Sequence, residues 1–228
     1  MNFFQAREKE IFEALKQLKE CHFALIGGYA VNAYTLPRFS VDCDIVILGV
    51  MALEKISKIL EKNGYHCKDE KGTSPYEGNF ARYEKEIGKG IKVSMDILIG
   101  TVLDRQTGVS FSAEWIFQNS AVRALLGKTI TERLDLRIVN VDALIALKFV
   151  PARITDIRDI FMLLPLAKDK RKIKEEVASR VDFAEKFERI KEKIMSEAFR
   201  NNLQGVYGLV DGKIFEKHRK EFLEFGAL

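Results

Sequence analysis

The sequence predicts an α+β domain with a mixed sheet over residues 1–139, followed by a helical domain over residues 140–228. Three observations carry this prediction. Short apolar runs rich in β-branched residues, such as "DCDIVIL", alternate with amphipathic stretches, the pattern of strands and helices packed on one another. Two alternating segments flank Gly88-Lys89-Gly90 and read as a hairpin, so the sheet is not purely parallel. Beyond Pro151 the strand-like runs stop and helical spacing takes over.

Each element has its own justification. Phe4, Ile11, Phe12, Leu15 and Leu18 recur at near-helical spacing with charges between them, which predicts an amphipathic helix over residues 3–20. "HFALIG" is a short buried strand ended by Gly27-Gly28, and "YAVNAYTL" a helix stopped by Pro37. A loop with Arg38 leads into "SVDCDIVIL", a strand by length and β-branching. "ALEKISKILEKNGY" is a helix ending at Gly64, and "NFARYEKEIGKGIKVSMDILIG" is the hairpin. "TVLDRQTG" follows as a polar loop. "LDLRIVN" is a further strand, and a helix starts near Asn140 to Asp142. Helical patterns at 155–164 and about 169–200 are separated by Pro165, with a last helix at 214–225 after the loop glycines Gly205, Gly208 and Gly212.

Composition narrows the functional classes. With 47% hydrophobic and 31% charged residues, the chain can bury a core and is not disordered. The opening "MNFFQAREKE" lacks the apolar centre of a signal peptide or anchor. The longest uncharged segment, Cys21 to Pro37, is too short to span a bilayer, so the expectation is a cytoplasmic protein without a membrane partner. Cys21, Cys43 and Cys67 are odd in number and widely spaced, and the chain has only three histidines, which excludes a disulfide framework and a structural zinc site. Residues 168–228 hold 15 Lys+Arg against 12 Asp+Glu, while the remainder is nearly balanced at 22 against 21. That excess suits either a polyanionic partner or an ordinary solvated helix surface.

The chemistry is concentrated in "ALIGGYAVNAYTLPRFSVDCDIVILG". Residues two apart on a strand share a face, so Asp42 and Asp44 lie side by side with Cα atoms roughly 6.6–7 Å apart. Val41, Cys43, Ile45 and Ile47 take the other face, toward the core. Two crowded carboxylates repel each other unless a cation keeps them ionised. Either they hang into solvent with nothing bound, or they hold a divalent metal, and Mg²⁺ favours such oxygen ligands. "KVSMDILIG" places Asp96 on a second apolar strand. If the two strands are neighbours with acidic sides aligned, three carboxylates suffice for one or two metal ions, which can hold both oxygens of an in-line phosphoryl displacement. The Gly27-Gly28 bend between a strand and a helix leaves backbone N–H groups exposed and lets phosphate approach closely.

In this order of features the chain resembles the nucleotidyltransferase superfamily that includes DNA polymerase β. Within it, "GGYAVNAYTLPRFSVDCD" is similar to the abortive-infection and toxin-type nucleotidyltransferases of prokaryotes, with Gly27, Gly28, Tyr29, Arg38, Ser40, Asp42 and Asp44 matching. A later motif, "KFVPARITDIRD", supplies Lys148, Arg153, Asp156 and Asp159. The resemblance covers about residues 22–164. It departs from the wider superfamily at Tyr29, where many members carry serine or threonine.

The resemblance implies roles. Asp42 and Asp44 would bind one or two Mg²⁺, and Asp96 would complete the metal site and help deprotonate an acceptor hydroxyl. An NTP would be the substrate, its nucleoside monophosphate passing to transfer RNA or a protein, with an antitoxin protein as a possible partner. Gly27, Gly28, Arg38, Lys148 and Arg153 would bind phosphate. Alternatives stand beside these: Lys148 as a cation snorkelling from a buried helix, and Arg153 in a salt bridge with Asp156 or Asp159. Those two aspartates, three apart on a helix, are expected to pair with Arg153 or Arg158. Tyr29 and Tyr34 are read as packing. The competing functions are transfer to a small hydroxylated acceptor of the aminoglycoside kind, and nucleotide binding without catalysis.

Overall fold

The computed structural model describes residues 2–68, 79–88, 90–208 and 210–228, in two compact units. The first unit contains residues up to 33, 39–102 and 111–139; the second contains 34–38, 103–110 and 140–228.

The first unit opens with helix α1 (Phe3–Leu18), closed at its N-terminus by a capping box between Asn2 and Gln5. Its Ile11, Phe12, Leu15 and Leu18 are buried as their spacing predicts, whereas Phe4 stays half exposed and stacks on Phe39 at 5.3 Å. There follow β1 (Ala24–Leu25), α2 (Gly27–Val31), β2 (Asp42–Ile47), α3 (Val50–Lys62), β3 (His66–Cys67), β4 (Phe80–Glu86), β5 (Lys92–Ile99), β6 (Thr101–Leu103), β7 (Ser110–Ser112), α4 (Ala113–Gln118), β8 (Ser120–Leu125) and β9 (Leu134–Val139). Seven strands form one sheet in the order β3-β4-β5-β2-β1-β9-β8, while β6 and β7 pair separately. The β2–β5 and β1–β9 pairs are parallel and the others antiparallel, which makes the sheet mixed and the fold α+β with helices at the C-terminus.

Several elements differ from the sequence expectation. The strand predicted over "HFALIG" is only two residues long. The helix predicted over "YAVNAYTL" begins earlier, at Gly27, and ends at Val31. There the Asn32 and Ala33 N–H groups donate to carbonyls three residues back, so the chain tightens into turns before Pro37 is reached. The hairpin forms as predicted, with Gly88 and Gly90 both at positive φ; Lys89 lies outside the described residues. The polar loop "TVLDRQTG" is instead the β6–β7 hairpin, whose tip is closed by the Asp104 carboxylate accepting from the Thr107 N–H and hydroxyl. Helix α4 and strand β8 had no counterpart in the sequence reading.

The second unit is helical: α5 (Val141–Phe149), α6 (Ile154–Leu163), a 3₁₀ turn (Leu164–Leu166), α7 (Lys170–Ala178), α8 (Phe183–Met195), α9 (Glu197–Tyr207) and α10 (Gly212–Gly226). The long helix expected over 169–200 is thus three. The first ends at Ala178, Asp182 starts the next by accepting the Glu185 N–H, and Ser196 takes an extended conformation between α8 and α9. Gly205 lies inside α9 rather than in a loop, and Gly208, at φ +87°, ends that helix. Aromatic side chains dominate the core, with Phe149, Phe183 and Phe225 in mutual contact and Phe187 stacked on Phe222. Among the described residues no helix is long and apolar enough to cross a membrane.

Candidate active site

In the first unit, the sheet register decides where the acidic residues meet. Parallel pairing of β2 with β5 sets Asp42 opposite Ser94 and Asp44 opposite Asp96. The antiparallel β4–β5 ladder then sets Arg82 opposite Asp96. Directly opposed residues on neighbouring strands share a face, so Arg82, Asp96 and Asp44 form one row across three strands. Glu84, Ser94 and Asp42 form the row beside it. On the opposite face Cys43, Ile45 and Ile47 are fully buried, as strand parity predicts, while Val41 precedes the strand and is exposed. Val46, on the acidic face, is fully buried too, so only the Asp42–Asp44 end of that face of β2 is accessible.

The diglycine bend sits at the end of the Asp44 row. The Ile26 N–H donates to the Asp44 carbonyl at 3.0 Å, tying the end of β1 to β2. Gly27 then turns at φ +66°, and a Cβ placed on it would lie 2.0 Å from Asp44 Oδ2. Only glycine satisfies both constraints. Gly27→Ala is therefore expected to cost about 1–2 kcal/mol from the backbone alone, and to displace the Asp44 carboxylate as well. Thermal unfolding combined with a transfer assay reads both effects; a variant as stable and active as wild type would contradict them.

Each carboxylate has a defined setting. Ser94, itself buried, donates its hydroxyl to Asp42 Oδ1. Asp96, 7% exposed, receives both prongs of the Arg82 guanidinium, Nε to Oδ1 at 2.8 Å and Nη2 to Oδ2 at 2.6 Å. Burial pushes the Asp96 pKa above the ordinary aspartate value; the Arg82 fork opposes the shift without cancelling it, and the charge of Asp42 adds to it. Among the described residues no group of three His, Cys, Asp or Glu side chains is gathered closely enough to hold a metal ion, and both Asp96 oxygens are taken by Arg82. The donor set nevertheless suits Mg²⁺ in kind: oxygen ligands on one face of two paired strands.

The remaining predicted residues lie in the second unit, around Asp159. This carboxylate, 1% exposed, accepts from Arg38 Nε at 2.8 Å and Nη2 at 2.6 Å, from the Tyr207 hydroxyl at 2.5 Å, and pairs with Lys148 Nζ at 2.7 Å. Lys148 also reaches Asp156 at 3.3 Å. Burial opposes the charge of all three ionised partners, but attraction prevails: the Asp159 pKa falls to about 2, and those of Lys148 and Arg38 rise. Helix α5 is buried nearly all round, as its apolar sequence predicts, and Lys148 finds its anions on α6. Arg153 turns its guanidinium to Asp104 at 2.5 Å, and only its backbone N–H meets Asp156. The expected pairing of Asp156 and Asp159 with the side chains of Arg153 or Arg158 is thus replaced by Lys148 and Arg38. Both carboxylates are buried beside Lys148, whereas the Arg153 side chain is exposed. Tyr29, 1% exposed with its ring 6.4 Å from that of Phe12, is packing, as expected.

Sequence reasoning missed Arg82, Ser94 and Tyr207. Arg82 carried a usable signal: it and Asp96 each lie seven residues from position 89, the middle of the predicted turn. Ser94 shares the parity of Asp96 on the same strand. Tyr207 had none.

This mixed sheet, with a glycine bend pressed against one aspartate of a D-x-D strand and a third aspartate in register, falls in the class of the nucleotidyltransferases. Residues 11–224 match the family "Nucleotidyl transferase AbiEii toxin, Type IV TA system", and the chain belongs to that family. Among solved structures it is similar to the lincosamide antibiotic adenylyltransferase LnuA with lincomycin bound, at 19% identity and a TM-score of 0.46, covering 68% of this chain and 95% of that one. It is also similar to a protein from H. pylori assigned to the nucleotidyltransferases, at 16% identity and a TM-score of 0.47, covering 100% of this chain and 93% of that one. A search of curated proteins finds no match.

Proposed function

We propose that the chain is a Mg²⁺-dependent toxin that transfers a nucleoside monophosphate from an NTP to a macromolecular acceptor, RNA or protein, and that an antitoxin restrains it. The observation that carries this reading is the Gly27 bend against the Asp44 carboxylate, in register with Asp96. Asp42, Asp44 and Asp96 would hold one or two Mg²⁺, whose chemistry is to neutralise the triphosphate and the charge developing at the α-phosphorus. The Gly27 and Gly28 amides receive a phosphate oxygen. Helix α2 has only five residues, so these N–H groups contribute more than any helix dipole. An acceptor hydroxyl oxygen forms a bond to the α-phosphorus as the bond to the β-phosphate oxygen breaks and pyrophosphate leaves. The hydroxyl proton passes to a carboxylate oxygen of Asp96, which burial makes the more basic.

Arg38, Lys148 and Arg153 each have a carboxylate partner inside the second unit. The excess of Lys and Arg over residues 168–228 favours a polyanionic acceptor, RNA before protein. The test is incubation of the protein with each α-labelled NTP, Mg²⁺, total RNA and cell lysate. Label is expected in one acceptor class with one preferred NTP, and co-expression of the antitoxin should suppress it. No labelled product from any combination would overturn the proposal.

A further inference from the structure

Arg82 is the residue of the acidic face that the reaction as proposed does not use. It lies on β4 directly opposite Asp96 and forks both oxygens of that carboxylate, and Asp96 in turn lies opposite Asp44. Glu84 and Glu86 are the other charged residues of β4 on this face; Glu84 pairs with Lys68 and Lys92 at 3.7 and 3.9 Å, Glu86 lies opposite Lys92, and Asp42 has the Ser94 hydroxyl. The row therefore reads cation, carboxylate, carboxylate, glycine bend, with the cation on the flank of Asp96 away from Asp44. The Arg82 side chain is 40% exposed against 10% for Asp96, so the arginine can swing toward solvent and the aspartate cannot.

We propose, on the reading that Asp42, Asp44 and Asp96 bind a divalent cation, that Arg82 is a positioning residue competing with that cation for Asp96. A guanidinium and a divalent ion on one buried carboxylate repel each other strongly at such range. Admission of the ion therefore loosens the fork and frees Arg82. The freed guanidinium is shaped to take two phosphate oxygens, so a triphosphate arriving with the metal offers it a new partner on the same face. Bare metal then binds weakly, against the fork, and metal with nucleotide binds without that opposition.

The experiment is Mn²⁺ binding to the full-length protein without nucleotide, measured by the free-Mn²⁺ resonance signal or by calorimetry. Arg82→Gln is expected to bind Mn²⁺ several-fold more tightly than wild type, Arg82→Lys to fall between them because it keeps the charge without the fork, and Asp42→Asn and Asp96→Asn to bind more weakly. Circular dichroism melts confirm that each variant is folded, and Arg82→Lys serves if Arg82→Gln is not. Unchanged or weaker Mn²⁺ binding in the Arg82 variants, with the aspartate variants weakened, overturns the competition and leaves the metal site standing. Wild-type affinity in the aspartate variants overturns the metal reading itself.

Discussion

Asp42→Asn and Asp44→Asn are each expected to lower nucleotide transfer by about 10²–10³-fold or more, the scale of losing one preorganised electrostatic contact to a transition state. Asparagine keeps the size of aspartate and one acceptor oxygen, so Asp42→Asn can still receive the Ser94 hydroxyl. Neither position is deeply buried, and the apolar face behind them is untouched. Both variants should therefore melt near the wild-type temperature while losing the transfer rate. Asp44→Asn fills the same space beside Gly27, so the bend is kept. Transfer with a labelled NTP, read beside a thermal melt, checks the split. Wild-type rates in either variant would remove the D-x-D pair from the chemistry.

Asp159→Ala is expected to act in the opposite way, on stability first. The substitution leaves Arg38 and Lys148 buried without their shared carboxylate and Tyr207 without its acceptor. Breaking a buried pair from one side costs about 3–5 kcal/mol, against 1 kcal/mol or less for an exposed pair such as Lys191 with Glu188. Denaturant unfolding should show that loss for Asp159→Ala and almost none for Glu188→Ala. The same carboxylate gives a pH signature. Its pKa is about 2 in the folded protein and the ordinary 3.8 unfolded, so on acidification the unfolded chain takes up the proton first. The contribution, on the order of 2 kcal/mol, is complete above about pH 5 and is lost as pH falls toward 2. Wild type should show this slope and Asp159→Asn should lack it. An acid slope surviving in Asp159→Asn would assign it to other carboxylates.

The acidic face was legible because its signals are local. Strand parity pairs Asp42 with Asp44, the apolar setting marks Asp96, and the glycine turn fixes the hairpin. The same arithmetic contains Arg82, but β4 carries charge on both sides and gives no reason to single one out. The short strands β6 and β7, three residues each, are too brief to show a period, and β8, with one β-branched residue and two alanines, carries a weak strand signal. The breaks between α7, α8 and α9 lack proline and glycine; a capping aspartate and a single extended serine make them. The partners of Asp159 were out of reach, since Arg38 lies 121 positions away and Tyr207 48, with no pattern linking them.

The way residues 34–38 and 103–110 are counted with the helices has a practical consequence for dissecting the protein. A scissors cut after Val139 would not yield two self-sufficient fragments. The amino-terminal piece would keep Arg38 and Asp104 while parting them from Asp159 and Arg153, and the carboxy-terminal piece would carry Lys148 and Asp159 short of one guanidinium. The polypeptide enters its helical unit twice, at residues 34–38 and 103–110, before it stays there from Asn140 onward.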